Sequence, residues 1–220
     1  MKLINGNCFD YLQGIECDVV FTSPPYNRKR NDKYKNYDDT LVDYYQFITE
    51  FINNVHYSKY LFLNIQTNFY NKKDVYRIIG DYYDEIQQIF IWEKSNPMPA
   101  QGLNITNAYE FFIVLGDKSL KSNHTYTKNV ITTSVNSSTT TKIHKAVMKQ
   151  EVADWFIENF TKEDDIIFDP FMGLGTTGIS CLRYNRNFIG IEKNKEYYDL
   201  ASKRISEVAS NDYRASMGNA

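Results

Sequence analysis

Short apolar segments alternate with longer segments of helical periodicity along this chain of 220 residues. Runs rich in β-branched and aromatic residues predict strands at 17–21, 60–65, 88–92, 109–115, 165–168 and 187–191. Apolar residues recurring every three or four positions predict helices at 43–60, 72–88, 151–160, 176–184 and 197–208. Strands that alternate with helices build a largely parallel sheet, so the pattern predicts a single-domain α/β fold.

Three segments fall outside this alternation. Residues 2–12 are expected to form a small turn and a short amphipathic piece, and the last dozen residues are expected to fray. Segment 117–142 is dense in Ser, Thr, Asn and Lys and has little periodicity. It is predicted to be a long loop or a short recognition insert, or to be locally disordered.

Composition narrows the class of protein. No apolar run reaches the roughly 20 residues that span a bilayer, and the N-terminus lacks the apolar region of a signal peptide. Cys8, Cys17 and Cys181 have no metal-type spacing, which favours reduced thiols in a cytoplasmic compartment and predicts no metal site. Because the net charge is −2, any contact with nucleic acid has to come from local basic patches.

A pair of prolines, Pro24 and Pro25, ends the first predicted strand and is followed by Tyr26. Neither proline donates a backbone hydrogen bond, and Pro24 keeps Ser23 out of the helical region, so the strand exit is stiff and extended. Fixed carbonyl and hydroxyl oxygens at such an exit can accept hydrogen bonds from an amino group and favour its more nucleophilic, pyramidal form. The Tyr26 ring could stack on a base. A plain turn after a strand explains the same residues.

Basic residues follow directly, interleaved with tyrosines. Segment 27–37 contains a single acid and five cations, Arg28, Lys29, Arg30, Lys33 and Lys35. Such a segment beside a candidate site can bind a nucleic-acid backbone, or it can be a solvated loop.

A second motif spans residues 166–178 and reads as a strand, a glycine-rich turn and a helix start. Gly173 and Gly175 permit a tight turn and close approach of a ligand. Glu192 ends the next strand, where a carboxylate can hold ribose hydroxyls. The spacing Gly173-x-Gly175-x-x-Gly178 also satisfies a dinucleotide fingerprint, so the ligand is adenosine-like but can be a nicotinamide dinucleotide or S-adenosylmethionine.

Together these motifs resemble those of the DNA amino-methyltransferases that use S-adenosylmethionine. The resemblance rests on Phe21-Thr-Ser-Pro-Pro-Tyr26, Asp169-Pro-Phe-x-Gly-x-Gly175, Ile91-Trp92-x-Lys94-x-Asn96-x-x-Pro99, Glu110-Phe-Phe-Ile-Val-Leu115 and Phe188-Ile-Gly-Ile-Glu192 with Tyr197. The catalytic motif precedes the cofactor loop, which is the order of the family's β group. The resemblance implies a Rossmann-like fold with a mostly parallel seven-stranded sheet and helices on both faces.

The resemblance also implies roles for single residues. The catalytic residues that hold a flipped base would be Ser23, Pro24, Pro25 and Tyr26. The S-adenosylmethionine site would be lined by Asn7, Cys8, Thr22, His144, Asp169, Phe171, Gly173, Gly175, Thr176, Thr177, Glu192 and Lys193. The substrate would be double-stranded DNA, whose base must leave the stack before a methyl donor can reach it. The transfer would need neither a covalent enzyme intermediate nor a metal.

The chain departs from the family pattern in three places. Asn7 stands where the family usually has Asp, and His144 lacks the proline that usually follows. Segment 117–142 is short for a recognition domain, which implies a short recognition sequence, a homodimer or help from a second subunit.

Within the family, Thr-Ser-Pro-Pro-Tyr is typical of enzymes that act on the 4-amino group of cytosine. A hydroxyl such as that of Ser23 accepts an amino hydrogen from adenine equally well, so the 6-amino group of adenine is the alternative. More remote alternatives are an NAD-dependent oxidoreductase, a non-catalytic DNA-binding subunit, and the same chemistry on RNA or on a protein glutamine.

Overall fold

The computed structural model describes residues 1–28, 40–41, 43–97, 105–134 and 147–218, with side chains up to residue 210. In these ranges the chain forms a single sheet of eight strands in the order β1-β8-β7-β2-β3-β5-β4-β6. The strands are β1 Lys2–Asn5, β2 Val19–Thr22, β3 Tyr60–Ile65, β4 Ile86–Lys94, β5 Tyr109–Leu115, β6 Val130–Thr133, β7 Ile166–Asp169 and β8 Asn187–Glu192. Only β5 runs antiparallel to its neighbours within this sheet, so the predicted mostly parallel α/β fold is confirmed.

The expected count of seven strands is wrong, because the described residues form eight. Strand β1 was expected to be part of a turn, but residues 2–5 pair with β8. Strand β6 lies inside segment 117–142 and pairs with β4, and Trp92 Nε1 donates to Thr133 Oγ1 at 2.8 Å. Both are four-residue strands at the sheet edges, too short to show a periodicity in the sequence.

In the described ranges four α-helices connect these strands and a fifth follows β8. They are α1 Tyr44–Asn54, α2 Lys72–Asp81, α3 Gln150–Phe160, α4 Thr176–Arg183 and α5 Lys195–Gly218. Helix α1 is capped by Asp43 Oδ1, which accepts from Gln46 N at 2.8 Å. None of these helices is long and apolar enough to cross a membrane.

Three helix boundaries differ from those predicted. Helix α1 ends six residues earlier, since Val55 has extended backbone with φ −86° and ψ 136°. Helix α2 also ends early, because Ile86 pairs with Leu115 in the sheet and the ladder overrides the helical periodicity. Helix α5 continues to Gly218 through the segment that was expected to fray.

Helices cover both faces of the sheet. Helices α1 and α2 pack on one face through an apolar cluster that includes Ile48, Phe51 and Val75. Helices α3, α4 and α5 pack on the other face around Phe156, whose ring lies 4.2 Å from that of Phe112.

The connections from the neighbouring strands β2 and β7 leave in opposite directions along the sheet. From β2 it crosses through α1 to β3 on one side, and from β7 through α4 to β8 on the other. Adjacent parallel strands whose connections diverge leave a crevice at their carboxyl ends, where open α/β sheets bind ligands. The Ser23–Tyr26 motif follows β2 and the glycine-rich loop follows β7, so both motifs lie at this crevice.

Candidate active site

A buried hydrogen bond joins the two motifs across this crevice. Thr22 Oγ1, at the end of β2, donates to Asp169 Oδ1, at the end of β7, at 2.7 Å. The Asp169 carboxylate also accepts from Phe171 N at 3.2 Å and from Thr177 Oγ1 at 2.6 Å. Burial raises the pKa of Asp169 to about 6, although these three donors oppose the shift. Asp169 therefore ties the catalytic strand, the glycine loop and the start of α4 together.

The glycines of the loop serve different purposes. Gly173 (φ 52°) and Gly175 (φ 77°) both adopt the left-handed backbone that favours glycine. A Cβ on Gly173 would meet nothing within 4 Å, so this residue faces open space. A Cβ on Gly175 would lie 2.9 Å from Ile205 Cδ1, and one on Gly178 would lie 2.8 Å from Ile205 and Phe188. Gly173 thus leaves room for a ligand, whereas Gly178 permits α4 to pack on α5 and β8.

Glu192 closes the other side of the loop. Its Oε2 accepts from Gly173 N at 3.0 Å and its Oε1 from Asn194 N at 2.8 Å. Burial raises the pKa of Glu192 to about 7, partly offset by these backbone donors. Gly6 N donates to the Glu192 carbonyl at 3.1 Å, which holds the turn with Asn7 and Cys8 beside this strand end.

Other residues assigned to the cofactor side differ in their accessibility. Cys8 is buried, and burial raises the pKa of its thiol to about 12. Thr176 and Thr177 are also buried, at the start of α4. Phe171 packs on Phe47 and Phe51 of α1 with ring centroids at 5.8 and 5.4 Å. Lys193 is exposed, and His144 lies outside the described residues.

A polar network lies behind the catalytic strand exit. Ser23 Oγ is 2.7 Å from Tyr26 Oη, which is 2.7 Å from Asn64 Oδ1 and 3.0 Å from Glu110 Oε2. Glu110 is buried and forms an ion pair with Lys94. Because β5 is antiparallel to β3, its first residues reach the edge at which β2 and β3 end, which brings Glu110 to this network.

The network determines which way the Ser23 hydroxyl faces. Asn64 Nδ2 donates to the Phe111 carbonyl at 3.0 Å, which leaves Asn64 Oδ1 as an acceptor. Burial and the neighbouring Glu110 raise the pKa of Tyr26 well above its usual value, so its hydroxyl stays a donor. Donation from Tyr26 to the Glu110 carboxylate is charge-assisted and therefore favoured. Ser23 then donates inward, to Tyr26 Oη or to Asn64 Oδ1 at 3.1 Å, and presents its lone pairs outward as acceptors.

The Tyr26 ring is 7% exposed, with the Arg28 guanidinium 5.3 Å from its centroid. Pro24 is buried, and Ser23, Pro25 and Arg28 are half-buried. The other four cations of the basic segment, Lys29, Arg30, Lys33 and Lys35, lie outside the described residues.

Sequence reasoning assigned no site role to Asn64, Lys94 or Glu110. Asn64 is the one polar side chain near the end of the apolar run of β3, and Glu110 is an acid within the apolar run of β5. A buried polar residue inside a strand needs a partner, and that is the signal by which both could have been found.

Comparisons with known proteins show the family to which this chain belongs. A family described as DNA methylase matches residues 17–203 of this chain. The Type II methyltransferase M2.MboI of Moraxella bovis is 26% identical, over 94% of this chain and 88% of the relative. The chain belongs to this DNA methylase family, and it is an S-adenosylmethionine-dependent DNA methyltransferase. Family membership decides between the two cofactor classes that the glycine pattern leaves open.

Two solved structures have the same fold. The cytosine-N4-specific PvuII DNA methyltransferase superposes with a TM-score of 0.74 and 17% identity, covering 94% of this chain and 90% of the other. The crystal structure of the M1.HpyAVI complex with S-adenosylmethionine gives a TM-score of 0.68 and 23% identity, covering 92% of this chain and 98% of the other.

The residues at this crevice fit S-adenosylmethionine, whose sulfonium supplies an activated methyl group when bound. The open space at Gly173 admits the ligand beside the loop. Glu192 offers a carboxylate for ribose hydroxyls, and Asn7 is half-buried next to it. The Thr22–Asp169 hydrogen bond holds this loop close to the end of β2, where Ser23 follows.

We expect cofactor affinity to depend on the ionisation of Glu192. With a pKa of about 7, this side chain is mostly protonated at pH 6 and mostly ionised at pH 8. If only the ionised form holds the ribose, S-adenosylhomocysteine should bind about tenfold more tightly at pH 8 than at pH 6. Isothermal titration calorimetry at both pH values measures this change. The variant Glu192→Gln should bind more weakly and equally at both pH values, and a variant with the parent's pH dependence would contradict the assignment.

Proposed function

We propose that this enzyme methylates the exocyclic amino group of a base flipped out of double-stranded DNA, at a specific sequence. The observation that supports this most strongly is the inward donation of the Ser23 hydroxyl, which leaves its lone pairs free to accept an amino hydrogen. An amino nitrogen with a fixed acceptor on its N–H bond keeps more of its lone pair out of the ring, and so is a better nucleophile. The Pro24 carbonyl is the second acceptor in this proposal.

Tyr26 acts in this proposal through its hydroxyl, which orients Ser23 and connects it to Glu110. Its ring is buried in the present structure, so stacking on the base requires the loop of residues 24–28 to shift when DNA binds. Asp169 and Thr22 hold the two halves of the site at a fixed distance.

We further propose the 4-amino group of cytosine as the acceptor, with the 6-amino group of adenine as the alternative. The Thr22-Ser23-Pro24-Pro25-Tyr26 motif supports cytosine, as does the fold similarity to a methyltransferase described as cytosine-N4-specific. The neutral hydroxyl of Ser23 can accept a hydrogen bond from either amino group. The choice between cytosine and adenine therefore depends on the other residues around the base.

The relatives' description as Type II methyltransferases supports a role in restriction and modification. We propose that the chain is a single catalytic domain, in which segment 117–142 contributes to sequence recognition. Strand β6 anchors that segment to the sheet edge beside β4. Because the segment is short, a homodimer or a second subunit would supply further contacts with the bases.

The acceptor is tested by incubating the protein with methyl-labelled S-adenosylmethionine and mixed-sequence duplex DNA. We expect label in acid-precipitable material that DNase removes and that RNase and protease leave. Label removed by RNase or protease would contradict DNA as the acceptor. Absence of transfer from a protein that binds S-adenosylhomocysteine would instead support a non-catalytic DNA-binding subunit.

We predict that the basic segment supplies phosphate contacts. Replacing Arg28, Lys29 and Arg30 with glutamine should weaken DNA binding and reduce the slope of log K against log salt by up to about 3, or roughly 0.9 for each lost phosphate contact. Fluorescence anisotropy over a salt series measures this slope. Lys2, Lys118 and Lys162 are exposed at the opposite ends of the strands, and replacing these three with glutamine provides a charge-matched control. If the salt slope of the Arg28, Lys29 and Arg30 variant equals that of the parent, the segment makes no phosphate contacts and is a solvated loop.

A further inference from the structure

Two large aromatic side chains stand in solvent next to the catalytic strand. Phe69 is 81% exposed and Tyr70 is 53% exposed, and their rings meet edge to face at 5.3 Å. They lie in the turn between β3 and α2, at the edge of the sheet where β2 and β3 end. Exposed apolar groups of this size at a functional edge mark interaction surfaces.

The turn that presents these rings is rigidly built. Asn68 N donates to Asn71 Oδ1 at 2.7 Å, and Asn68 Oδ1 accepts from Tyr70 N at 2.8 Å. Asn71 is fully buried, and its Nδ2 donates to the Gln66 carbonyl at 3.0 Å. The side chains of Asn68 and Asn71 hold the backbone of this turn by hydrogen bonds, so the exposure of the two rings is fixed by the fold.

The same two asparagines hold the catalytic loop. Asn68 Nδ2 and Asn71 Nδ2 both donate to the Tyr26 carbonyl, at 2.7 and 2.8 Å. The aromatic turn and the Ser23–Tyr26 exit therefore form one connected unit, and the rings are positioned relative to the pocket for the target base.

The charge next to the rings suits DNA. Lys72 and Lys73 are exposed at the start of α2, and Lys72 Nζ lies 6.0 Å from the Phe69 ring centroid. Asp74, the next residue of α2, is half-buried. A pair of exposed aromatic rings beside exposed cations can place an apolar group between bases while the cations contact phosphates.

We propose that Phe69, supported by Tyr70, enters the base stack of the duplex at the position vacated by the flipped base. This inference deepens the proposed function and rests on it. Extruding a base costs the free energy of unstacking and unpairing it, and an apolar side chain that fills the gap offsets part of that cost. Phe69 is then a positioning residue for base flipping, because it does not touch the reacting atoms.

The test compares two duplexes once the methylated position has been mapped by sequencing. One is fully paired, and the other carries a mismatch at the target base, which lowers the cost of extrusion. We expect Phe69→Ala to slow methylation of the paired duplex by about tenfold to a hundredfold, which is the worth of one aromatic–base stack. On the mismatched duplex the same variant should remain close to the parent, and Phe69→Trp should restore most of the rate on paired DNA.

Tyr83→Ala is the matched control. Tyr83 is 70% exposed, but it lies in the turn before β4, at the opposite edge of the sheet. This variant should match the parent on both duplexes. Because Phe69 is so exposed, its removal should leave the midpoint of urea unfolding unchanged.

Three results would overturn the inference. One is an unchanged rate on paired DNA after Phe69→Ala. Another is an equal loss of methylation rate on both duplexes. If the sedimentation coefficient of the variant also changes, the rings bind a second copy of the chain instead. If the parent methylates neither duplex, the proposed function fails and the inference fails with it, whereas the first two results leave the proposed function intact.

Discussion

Replacing Asp169 with alanine is expected to destabilise the protein by roughly 3 kcal/mol and to abolish binding of S-adenosylhomocysteine. The carboxylate is buried and accepts from Thr22 Oγ1, Thr177 Oγ1 and Phe171 N. Alanine leaves these donors without their acceptor inside the protein and removes the side-chain hydrogen bond between the ends of β2 and β7. Urea unfolding gives the change in stability, and calorimetry gives the loss of binding.

Asp169→Asn separates the hydrogen bonds from the charge. An amide oxygen can still accept from Thr22 and Phe171 N, while the Thr177 hydroxyl can turn to accept from the amide nitrogen. With a pKa of about 6, Asp169 is mostly ionised at pH 7, but neutralising it there costs only about 1.4 kcal/mol, so losing the charge is a modest change. Asn should therefore retain most of the stability and measurable binding. An alanine variant as stable as the parent would show that the bond between the two strand ends is dispensable.

Replacing Tyr26 with phenylalanine is expected to lower the rate of methyl transfer by about a hundredfold, the scale of losing one pre-organised polar group at a reacting centre. The ring remains and fills the same space, but Ser23 loses its 2.7 Å partner and Glu110 Oε2 loses a donor at 3.0 Å. The Ser23 hydroxyl then keeps Asn64 Oδ1, at 3.1 Å, as an inward acceptor, but it loses its shorter contact, so its lone pairs are held less firmly toward an approaching amino group. Single-turnover kinetics with saturating DNA and cofactor measures this rate.

The control for Tyr26→Phe is a phenol that has no part in the site. Tyr82 Oη donates to Asn53 Oδ1 at 2.8 Å on the surface, so Tyr82→Phe removes a hydroxyl without touching the network. Cofactor affinity should be unchanged in both variants, because Tyr26 lies on the base side of the crevice. A Tyr26→Phe enzyme with the parent's single-turnover rate would refute the orienting role of the hydroxyl.

Local patterns account for most of the fold. Strands such as β3 and β5 are apolar runs of six and seven residues, and their boundaries match those predicted from the sequence. Strand β6 could not be predicted, because Val130–Thr133 is short and lies among polar residues, and only pairing with β4 makes it a strand. The end of α2 was misplaced for a related reason, since the pairing of Ile86 with Leu115 is a contact between distant parts of the sequence.

The positions of the two motifs at strand ends follow from the sequence, but the contacts of their side chains do not. Glycine and proline spacing placed both loops at strand ends. The spacing did not reveal that both oxygens of the Asp169 carboxylate accept internal hydrogen bonds, or that the hydroxyl of Tyr26 is buried against Glu110. Glu110 is 84 residues from Tyr26, and the antiparallel insertion of β5 beside β3 is what joins them.

The most direct measurement is mass spectrometry of nucleosides from mixed-sequence duplex DNA after incubation with the enzyme and S-adenosylmethionine. Methyl transfer to an exocyclic amino group predicts a new methylated nucleoside, and the proposed acceptor predicts 4-methylcytosine. A 6-methyladenine product would preserve the proposed chemistry and refute cytosine as the acceptor. A 5-methylcytosine product, or DNA without any methylated base from an enzyme that binds the cofactor, would contradict methylation of an amino group held by Ser23 and Pro24.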